Sequence, residues 1–326
     1  MGIKNLGKIG VLAGGPSNER EISLISGNTV FNALREADAD AVFLDIKRED
    51  LIKEQILAAD IDIAFIALHG RFGEDGTVQN ILEEMHVPYT GSGPLASRLA
   101  LDKIASREIF IKNNLNVPAY KALNKRFLDD AKIKSAAEDV GFPLVVKPQF
   151  EGSSIGVSIV KTNRDVKEAI ALAFKYGDKI TVEKYIDGRE LTVGILADEP
   201  LPVIEVVVGE QFYNFKAKYK SKKTQYIVPA KVSDEYYRMA QSDGRLAHNV
   251  LGCNFFSRVD MMLDVKQKKI FILEVNSIPG LTDHSLLPKA AAYAGVGFAQ
   301  LCLKIAEAAS LKRAEVNKVG QKVKEV

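Results

Sequence analysis

Residues 257–285 read SRVDMMLDVKQKKIFILEVNSIPGLTDHS, in which two apolar segments flank a lysine-rich turn. An antiparallel hairpin centred on Gln267 places Asp260 opposite Glu274. The polar face of this hairpin collects Arg258, Asp260, Glu274 and Asn276. The opposite face collects the apolar residues Phe255, Val259, Met261, Leu263, Phe271, Leu273 and Val275. A half-buried strand pair requires this alternation, so the stretch predicts a hairpin with one polar face.

The two facing carboxylates indicate a cation site. Like charges opposite each other repel, and a site that keeps them together supplies a cation between them. The hairpin provides only oxygen ligands, with no His or Cys beside them. The natural cation is therefore Mg²⁺ or Mn²⁺ carrying the phosphates of a nucleotide. The alternative is an exposed hairpin with scattered charges. The turn that begins at Pro279-Gly280, followed by Thr282, His284 and Ser285, offers backbone N–H groups to an anion and favours phosphate chemistry.

Composition excludes several classes of protein. The chain has 326 residues, enough for two or three domains, and 44 basic residues nearly balance 42 acidic ones. This balance predicts no nucleic-acid partner, and the lack of a long apolar run or a signal-peptide pattern predicts no membrane partner. Two cysteines, Cys253 and Cys302, are too few for a disulfide framework. We therefore expect a soluble cytoplasmic protein.

The first segment of the chain is typical of a parallel α/β unit. A strand over residues 8–13 leads through a polar loop, which contains Glu19, into a helix over 22–35. Further strands are predicted at 41–45 and 61–68, and a short one at 87–90. The second of these ends in a glycine-rich, charged loop that contains His69. Glu19 is either a ligand or a first-turn helix acid, and His69 is either a ligand or a packing histidine.

The middle of the chain has a different character. A helix is predicted over 97–113, carrying Lys103 near its start, and a strand that contains Lys147 leads into the loop 151–156. That loop can bend its N–H groups round a phosphate, although it is no P-loop and equally suits a flexible hairpin turn. A strand over 179–186 ends in Glu183 and Lys184, whose backbone could bind an adenine edge or simply end an edge strand.

The segment 209–229 departs from regular structure and combines five lysines with three tyrosines. Such a cluster suits a lid over anionic ligands, or a mobile loop that the lysines keep soluble. A helix over 234–251 and a last helix over 298–311 complete the predicted elements.

Taken in order, these segments resemble the D-alanine–D-alanine ligases, a family of ATP-grasp enzymes. The resemblance runs from about residue 8 to 303. It is carried by residues 14–23, 67–77, 89–93, 101–103, 146–148, 151–154, 217–221 and 257–285. It implies a Rossmann-like N-terminal α/β domain (1–97) followed by a two-domain ATP-grasp fold, with a central domain (98–187) and a C-terminal α+β domain (188–326). It further implies ATP, two Mg²⁺ ions (or Mn²⁺), a homodimer, and an acyl phosphate formed on one D-alanine before the amine of a second D-alanine attacks it.

The resemblance also implies roles for individual residues. The metal ligands would be Asp260, Glu274 and Asn276. The phosphates would contact Lys103, Lys147, Ser153, Ser154 and Lys218. The adenine and ribose would contact Glu183, Lys184, Ile186 and Glu190. Arg258 and the N–H of Gly280 would hold the oxyanion of the tetrahedral intermediate. The amino acids would be bound by Glu19, His69, Ser285 and Leu286, while Ser153, Tyr219 and Glu19 would link loop, lid and first domain.

Two positions depart from the family pattern. Phe255 stands where members usually have glycine, and Ser277 where they usually have threonine. We interpret Phe255 as a packing change, and Ser277 keeps the hydroxyl. Relatives that form D-alanyl-D-lactate tend to lack the tyrosine at 219, so Tyr219 predicts a dipeptide product. The alternative function is a regulatory nucleotide-binding protein that has lost turnover.

Overall fold

The computed structural model describes residues 6–207 and 224–324, with side chains up to Leu311. Its first unit is the predicted parallel sheet, in the strand order β2-β1-β3. The central strand β1 is buried along its whole length, as a strand covered by helices must be. Residues 87–90 form no strand, because only one bridge joins Tyr89 to Ala64. The elements are β1 (Ile9–Gly14), α1 (Arg20–Glu36), β2 (Ala41–Ile46), α2 (Ile52–Ala59), β3 (Ile63–Ile66) and α3 (Thr77–Glu84).

The prediction of one helix over 97–113 was wrong in one respect. The structure has two helices there, α4 (Pro94–Leu101) and α5 (Lys103–Lys112). Asp102 separates them with extended backbone, and its carboxylate accepts hydrogen bonds from the N–H groups of Ile104 and Ala105 at 3.0 and 3.1 Å. An aspartate that caps a new helix in this way competes with continuation of the old one. The break places Lys103 in the first turn of α5.

The second unit is a four-stranded antiparallel sheet in the order β4-β7-β5-β6. The predicted loop 151–156 lies between β5 and β6, as expected. The apolar residues of the sheet and the two helices that cover it form one core, which includes Leu144, Val146 and Ile180. The elements are β4 (Tyr120–Asn124), α6 (Asp130–Val140), β5 (Leu144–Pro148), β6 (Ser158–Val160), α7 (Val166–Ala173) and β7 (Lys179–Lys184).

The third unit contains a six-stranded sheet in the order β11-β10-β8-β12-β13, with β9 beside β8. Its strands are β8 (Arg189–Leu196), β9 (Glu199–Pro200), β10 (Ile204–Val207), β11 (Gln225–Ile227), β12 (Phe256–Asp264) and β13 (Lys269–Asn276). Its helices are α8 (Asp234–Val250), α9 (Leu286–Tyr293) and α10 (Phe298–Lys324). One core cluster joins α9, α10 and β10 to the first sheet, so the first and third units share buried surface.

Within the described part of the chain, no single helix is both long and apolar enough to cross a membrane. Helix α9 and the segment Phe298–Leu311 of α10 meet that condition only as a pair, and the two are bent by 104°.

The hairpin of β12 and β13 has the predicted register near its polar end. Asp260 lies opposite Glu274 and Arg258 opposite Asn276, which confirms the pairing expected from the sequence. Beyond Asp260 a β-bulge shifts the register by one residue. The hydrophobic cluster beneath the sheet therefore contains Ile270 and Ile272. The prediction that Phe271 and Leu273 face that core was wrong, and Leu273 instead lines a cleft on the polar side.

The turn before β12 is held by a buried histidine. Asp198 Oδ1 accepts the Phe255 N–H at 2.8 Å and lies 3.0 Å from Nε2 of His248, whose Nδ1 lies 2.7 Å from Ser257 Oγ. Burial lowers the pKa of His248 in spite of Asp198, so the imidazole is neutral. Since a carboxylate only accepts, Nε2 donates to Asp198 and Nδ1 accepts from Ser257. Asp198 thereby fixes Phe255 and the start of β12 together.

Phe255 has a left-handed backbone, with φ of +65°. This conformation strains a residue with a Cβ and favours glycine, which explains the glycine of the family pattern and means that Phe255 carries strain in addition to the packing change. The ring is half-buried against the core shared by the first and third units.

We expect the Phe255→Gly variant to be more stable than Phe255→Ala by about 1 kcal/mol, because both lose the ring and only alanine keeps the strain. Ser242 is exposed in the middle of α8. There the alanine variant should be more stable than the glycine variant by about 1 kcal/mol, because alanine favours helix. Urea unfolding of the four variants measures both differences. An alanine variant at 255 as stable as the glycine variant would contradict the strain.

Candidate active site

A small cavity of about 100 Å³ lies where the first unit, the loop 151–156 and the β13–α9 loop meet. Its walls come from segments that are far apart in the chain, and they include most of the residues predicted to bind amino acids. The predicted residues that line it are Glu19, His69, Lys103, Ser153, Arg258, Glu274, Asn276, Gly280, Ser285 and Leu286. The fold therefore gathers one polar chamber from all three units.

A larger cleft of about 360 Å³ separates the four-stranded sheet from the six-stranded sheet. This volume is within the usual range for small-molecule and cofactor sites. The predicted residues that line it are Lys103, Lys147, Ser154, Glu183, Lys184, Ile186, Glu190, Asp260 and Glu274. Lys103 and Glu274 line both the cleft and the small cavity. The two spaces therefore meet at these two residues. Lys218 and Tyr219 lie outside the described residues.

Lys103 is a buried cation at this junction, with 5% of its surface exposed. Its Nζ donates to the Glu151 carbonyl at 2.5 Å and lies 3.5 Å from Glu274 Oε2. Burial lowers the pKa of Lys103, Glu274 opposes that shift, and the nearby cations Lys147 and Arg107 add to it. An added anion beside Lys103 would be favoured because this part of the site is short of negative charge.

Glu183 is almost completely buried, and both of its carboxylate oxygens are engaged. Oε1 lies 2.8 Å from Arg107 Nη2 and accepts from Thr181 Oγ1 at 2.6 Å, while Oε2 lies 2.9 Å from Lys147 Nζ. Burial alone would raise the pKa of Glu183, but Arg107 and Lys147 hold it below its ordinary value. The carboxylate is therefore a structural anion whose two oxygens are both engaged by protein groups.

Arg107 was missed by the sequence analysis. Its signal was its position four residues after Lys103, which puts both side chains on the same face of α5. Thr181, Thr192, Ser26 and Glu74 were missed for another reason. Each is an ordinary polar residue whose importance comes only from the partner that the fold brings to it.

Each of the two facing acids, Asp260 and Glu274, is paired with a cationic side chain. Arg258 binds both oxygens of Asp260 through Nε and Nη2 at 2.8 and 2.7 Å, and Thr192 Oγ1 donates to Asp260 Oδ1 at 2.7 Å. Glu274 has Lys103 beside it. No group of three His, Cys, Asp or Glu side chains suited to a metal occurs among the described residues, and Asn276, opposite Arg258 on the hairpin, offers an amide oxygen as a third donor beside the two acids. Two carboxylates and an amide are all oxygen donors and suit Mg²⁺.

His69 and Glu19 are held in place by the loops that follow β3 and β1. Ser17 Oγ donates to the His69 carbonyl at 2.6 Å and accepts the Glu19 N–H at 3.1 Å. Glu19 stands at the N-cap of α1 but makes no side-chain cap, and its carboxylate lines the cavity. A Cβ on Gly152 would lie 2.8 Å from Glu19 Oε1, so the glycine lets the loop approach this acid.

The His69 imidazole lies between two partners. Nδ1 is 3.3 Å from Glu74 Oε1, and Nε2 is 3.0 Å from Ser26 Oγ. Burial works to lower the pKa of His69, but the hydrogen bond and charge of Glu74, together with the charge of Glu19, raise it above the ordinary value. The packing alternative weighed for His69 is thus incomplete, because the ring also lines the cavity.

Two turns complete the chamber. In the loop 151–156, Ser153 and Ser154 have left-handed backbones with φ of +49° and +61°, a strained geometry that tends to occur at ligand sites. In the other turn, Ser285 Oγ accepts from the Thr282 N–H at 3.1 Å, and a Cβ on Gly280 would lie 2.9 Å from that oxygen. Ser285 precedes α9 without capping it by its side chain. The first N–H groups of α9 are therefore left without a cap from the Ser285 side chain.

Glu74→Gln should lower the pKa of His69, because burial then acts against a weaker opposing charge. In the native protein the pKa of His69 is higher in the folded state than in the unfolded state, where it is about 6.5. This difference stabilises the folded protein below about pH 6.5, and the stabilisation is lost as pH rises through the folded-state pKa. The variant should lack this contribution. NMR titration of the imidazole and urea unfolding against pH measure both effects. Glu54→Gln, exposed on α2, is the control. An unchanged His69 pKa in the Glu74 variant would contradict the assigned cause.

Family models for "D-ala D-ala ligase N-terminus" and "D-ala D-ala ligase C-terminus" match residues 48–92 and 109–307. The chain is 45% identical over 306 residues to the D-alanine–D-alanine ligase of Geobacter sulfurreducens, covering 94% of this chain and 95% of the relative. It is 46% identical over 305 residues to the ligase of Geotalea uraniireducens, covering 94% and 96%.

Solved structures agree. The D-alanine–D-alanine ligase of Bacillus anthracis complexed with ATP superposes with a TM-score of 0.82 at 32% identity, covering 95% of this chain and 99% of that one. A second structure of the Bacillus anthracis enzyme gives a TM-score of 0.83 at 34% identity, covering 94% and 99%. With these matches over nearly its whole length, the chain belongs to the D-alanine–D-alanine ligase family and has its ATP-grasp fold.

Proposed function

We propose that this protein joins two D-alanine molecules into D-alanyl-D-alanine for peptidoglycan synthesis, using ATP and releasing ADP and phosphate. The observation that carries the proposal is that the small cavity and the larger cleft meet at Lys103 and Glu274. An amino acid in the first space and a nucleotide in the second would bring a carboxylate and a terminal phosphate together there. A carboxylate is a poor acyl donor, so phosphorylation supplies the leaving group.

The larger cleft would take ATP with its base against residues 183–186 and its ribose near Glu190. Its phosphates would extend toward Lys103 and Lys147, which line the inner part of the cleft. The backbone of the loop at Ser153 and Ser154 would close over the terminal phosphate, since tight turns direct N–H groups at anions. Lys218 would add a further positive charge from the lid segment.

Asp260, Glu274 and Asn276 would hold two Mg²⁺ ions, or Mn²⁺. Bound there, the ions would supply positive charge against the charge that develops on the phosphoryl group during transfer. Arg258, whose guanidinium is fixed by its two bonds to Asp260, lines the small cavity, which supports a role in which it would bind the acyl oxygen. The backbone N–H of Gly280 would share that oxyanion with Arg258.

The small cavity would bind both amino acids. Glu19 would pair with the ammonium of the first D-alanine, and His69 would hydrogen-bond near its carboxyl group. Ser285, with the backbone at Leu286, would hold the carboxylate of the second D-alanine at the N-terminus of α9. The amine of the second molecule would then attack the acyl carbon, phosphate would leave, and Tyr219 would help close the site together with Ser153 and Glu19.

The proposal extends to the organisation of the protein. The three sheets support domains at 1–97, 98–187 and 188–326, although the core shared by the first and third units shows that these two pack as closely as parts of one domain. We also propose a homodimer that works in the cytoplasm, where ATP is available, without a nucleic-acid or membrane partner.

Asp260→Asn should reduce turnover by about 100-fold or more, because it removes a metal charge and the fork that orients Arg258. Phosphate release that depends on both ATP and D-alanine is the assay. Asp264→Asn, at the far end of the same strand, is the control and should keep its activity. Full activity in the Asp260 variant would refute the metal site. Native protein that binds ATP without D-alanine-dependent phosphate release would favour the regulatory alternative.

Near neutral pH the protein should prefer D-alanine to D-lactate as acceptor by at least about tenfold, because Tyr219 stands at the position that depsipeptide-forming relatives tend to change. Competition between equal concentrations of the two acceptors, with products separated by mass, measures the ratio. Predominant D-alanyl-D-lactate would overturn the dipeptide assignment while leaving the ATP-dependent ligation in place.

A further inference from the structure

Arg107 is a completely buried cation to which no role has been given above. It projects from α5 and contacts three elements. Nη1 donates to the Lys103 carbonyl at 2.9 Å, and Nη2 lies 2.8 Å from Glu183 Oε1 on β7 and donates to the Leu273 carbonyl on β13 at 3.5 Å. Its guanidinium also stacks 5.5 Å from the centre of the Tyr120 ring on β4. One side chain therefore joins α5 to both sheets that enclose the larger cleft.

Burying this charge is expensive, since removing an ion from water costs several kcal/mol even after relaxation of the protein. Moreover, Arg107 Nε is buried without a hydrogen-bond partner. Stability alone is a weak reason for such an arrangement, because apolar groups of similar volume often stabilise a protein equally well. The contacts of Arg107 point instead to the neighbouring cleft.

The arrangement of charge around Glu183 shows what Arg107 does. The single carboxylate faces two cations, with Arg107 on Oε1 and Lys147 on Oε2. Because Arg107 already neutralises the buried anion, the Lys147 ammonium has positive charge to spare for another anion. Without Arg107, Lys147 would be the main counter-ion of Glu183 and would be drawn away from the cleft. The carbonyls of Lys103 and Leu273, next to Glu274, would also lose their shared donor.

We propose that Arg107 is a positioning residue for nucleotide binding. It holds Glu183, so that Lys147 stays available to phosphate. It also fixes α5 against β13 at the point where Lys103 meets Glu274. This inference rests on the proposed function, because it concerns the same cleft. It predicts a selective effect on the nucleotide. Glu183 and Lys147 line the larger cleft and not the small cavity, so amino-acid binding should change far less.

Two substitutions test the proposal. Arg107→Lys keeps the charge but cannot bond Glu183 and both carbonyls at once, since the planar fork is lost. Arg107→Met removes the charge. Lys112→Met, at an exposed position of the same helix, is the control for net charge. The primary measurement is calorimetric binding of ADP with Mg²⁺, which needs no turnover. KM for ATP and for D-alanine are measured beside it, and melting temperatures are taken without ligand.

We expect both Arg107 variants to bind ADP about 10-fold to 100-fold more weakly, which is the usual effect of losing a group that orients ligand-binding residues. Arg107→Lys should lose less ADP affinity than Arg107→Met. KM for ATP should rise in parallel, while KM for D-alanine stays within about twofold of the native value. If Arg107→Met does not fold, Arg107→Lys decides. ADP affinity within twofold of native in the folded variants, or equal rises in both KM values, would overturn the inference and leave a structural residue. Failure of the native protein to bind ADP would instead overturn the proposed function.

Discussion

The structure depends on the pairing of buried or half-buried acids with cations where the three units meet. Asp260 is held by Arg258, Glu274 by Lys103, and Glu183 by Arg107 and Lys147. Arg258 and Asp260 lie on the same strand, whereas the other pairs join different elements. Removing either partner would leave a charge in a region of low dielectric, which is far more destabilising than the pair is stabilising. The same pairs set the relative positions of the sheets and the geometry of the cleft.

Several turns of the fold accept strain to bring this chemistry together. Ser153 and Ser154 take left-handed backbones next to Glu19, and Phe255 does so before the strand that carries Arg258 and Asp260. Each is held by its surroundings, in the case of Phe255 by the carboxylate of Asp198. Strain of this kind persists only where neighbouring contacts outweigh it. Its occurrence around the site indicates that the loops are positioned by the packed sheets rather than by their own preferences.

The sequence predicted the features that depend on local pattern. Alternation placed Asp260 opposite Glu274, and apolar runs found the parallel sheet of the first unit. Alternation could not reveal the bulge after Asp260, because Ile272 and Leu273 are both apolar and either could face the core. The break at Asp102 was missed because the apolar pattern continues through it. The position of Arg107 four residues after Lys103 was a sequence signal, but its ion pair with Glu183 and its bond to Leu273 were not, because those residues lie on strands more than 70 residues away along the chain.

The two ends of the small cavity differ in the charges around them. Around His69 the neighbouring charges are acidic, Glu74 and Glu19, and they raise the pKa of the imidazole in spite of burial. Around Lys103 burial lowers the pKa of the ammonium, and two neighbouring cations offset the two neighbouring acids, so the ammonium itself leaves an excess of positive charge. Under the proposed function, an amino acid in the small cavity would gain most with its ammonium toward the first unit and its carboxylate toward Lys103. That orientation would point the carboxylate at the mouth of the larger cleft, where it would attack the terminal phosphate.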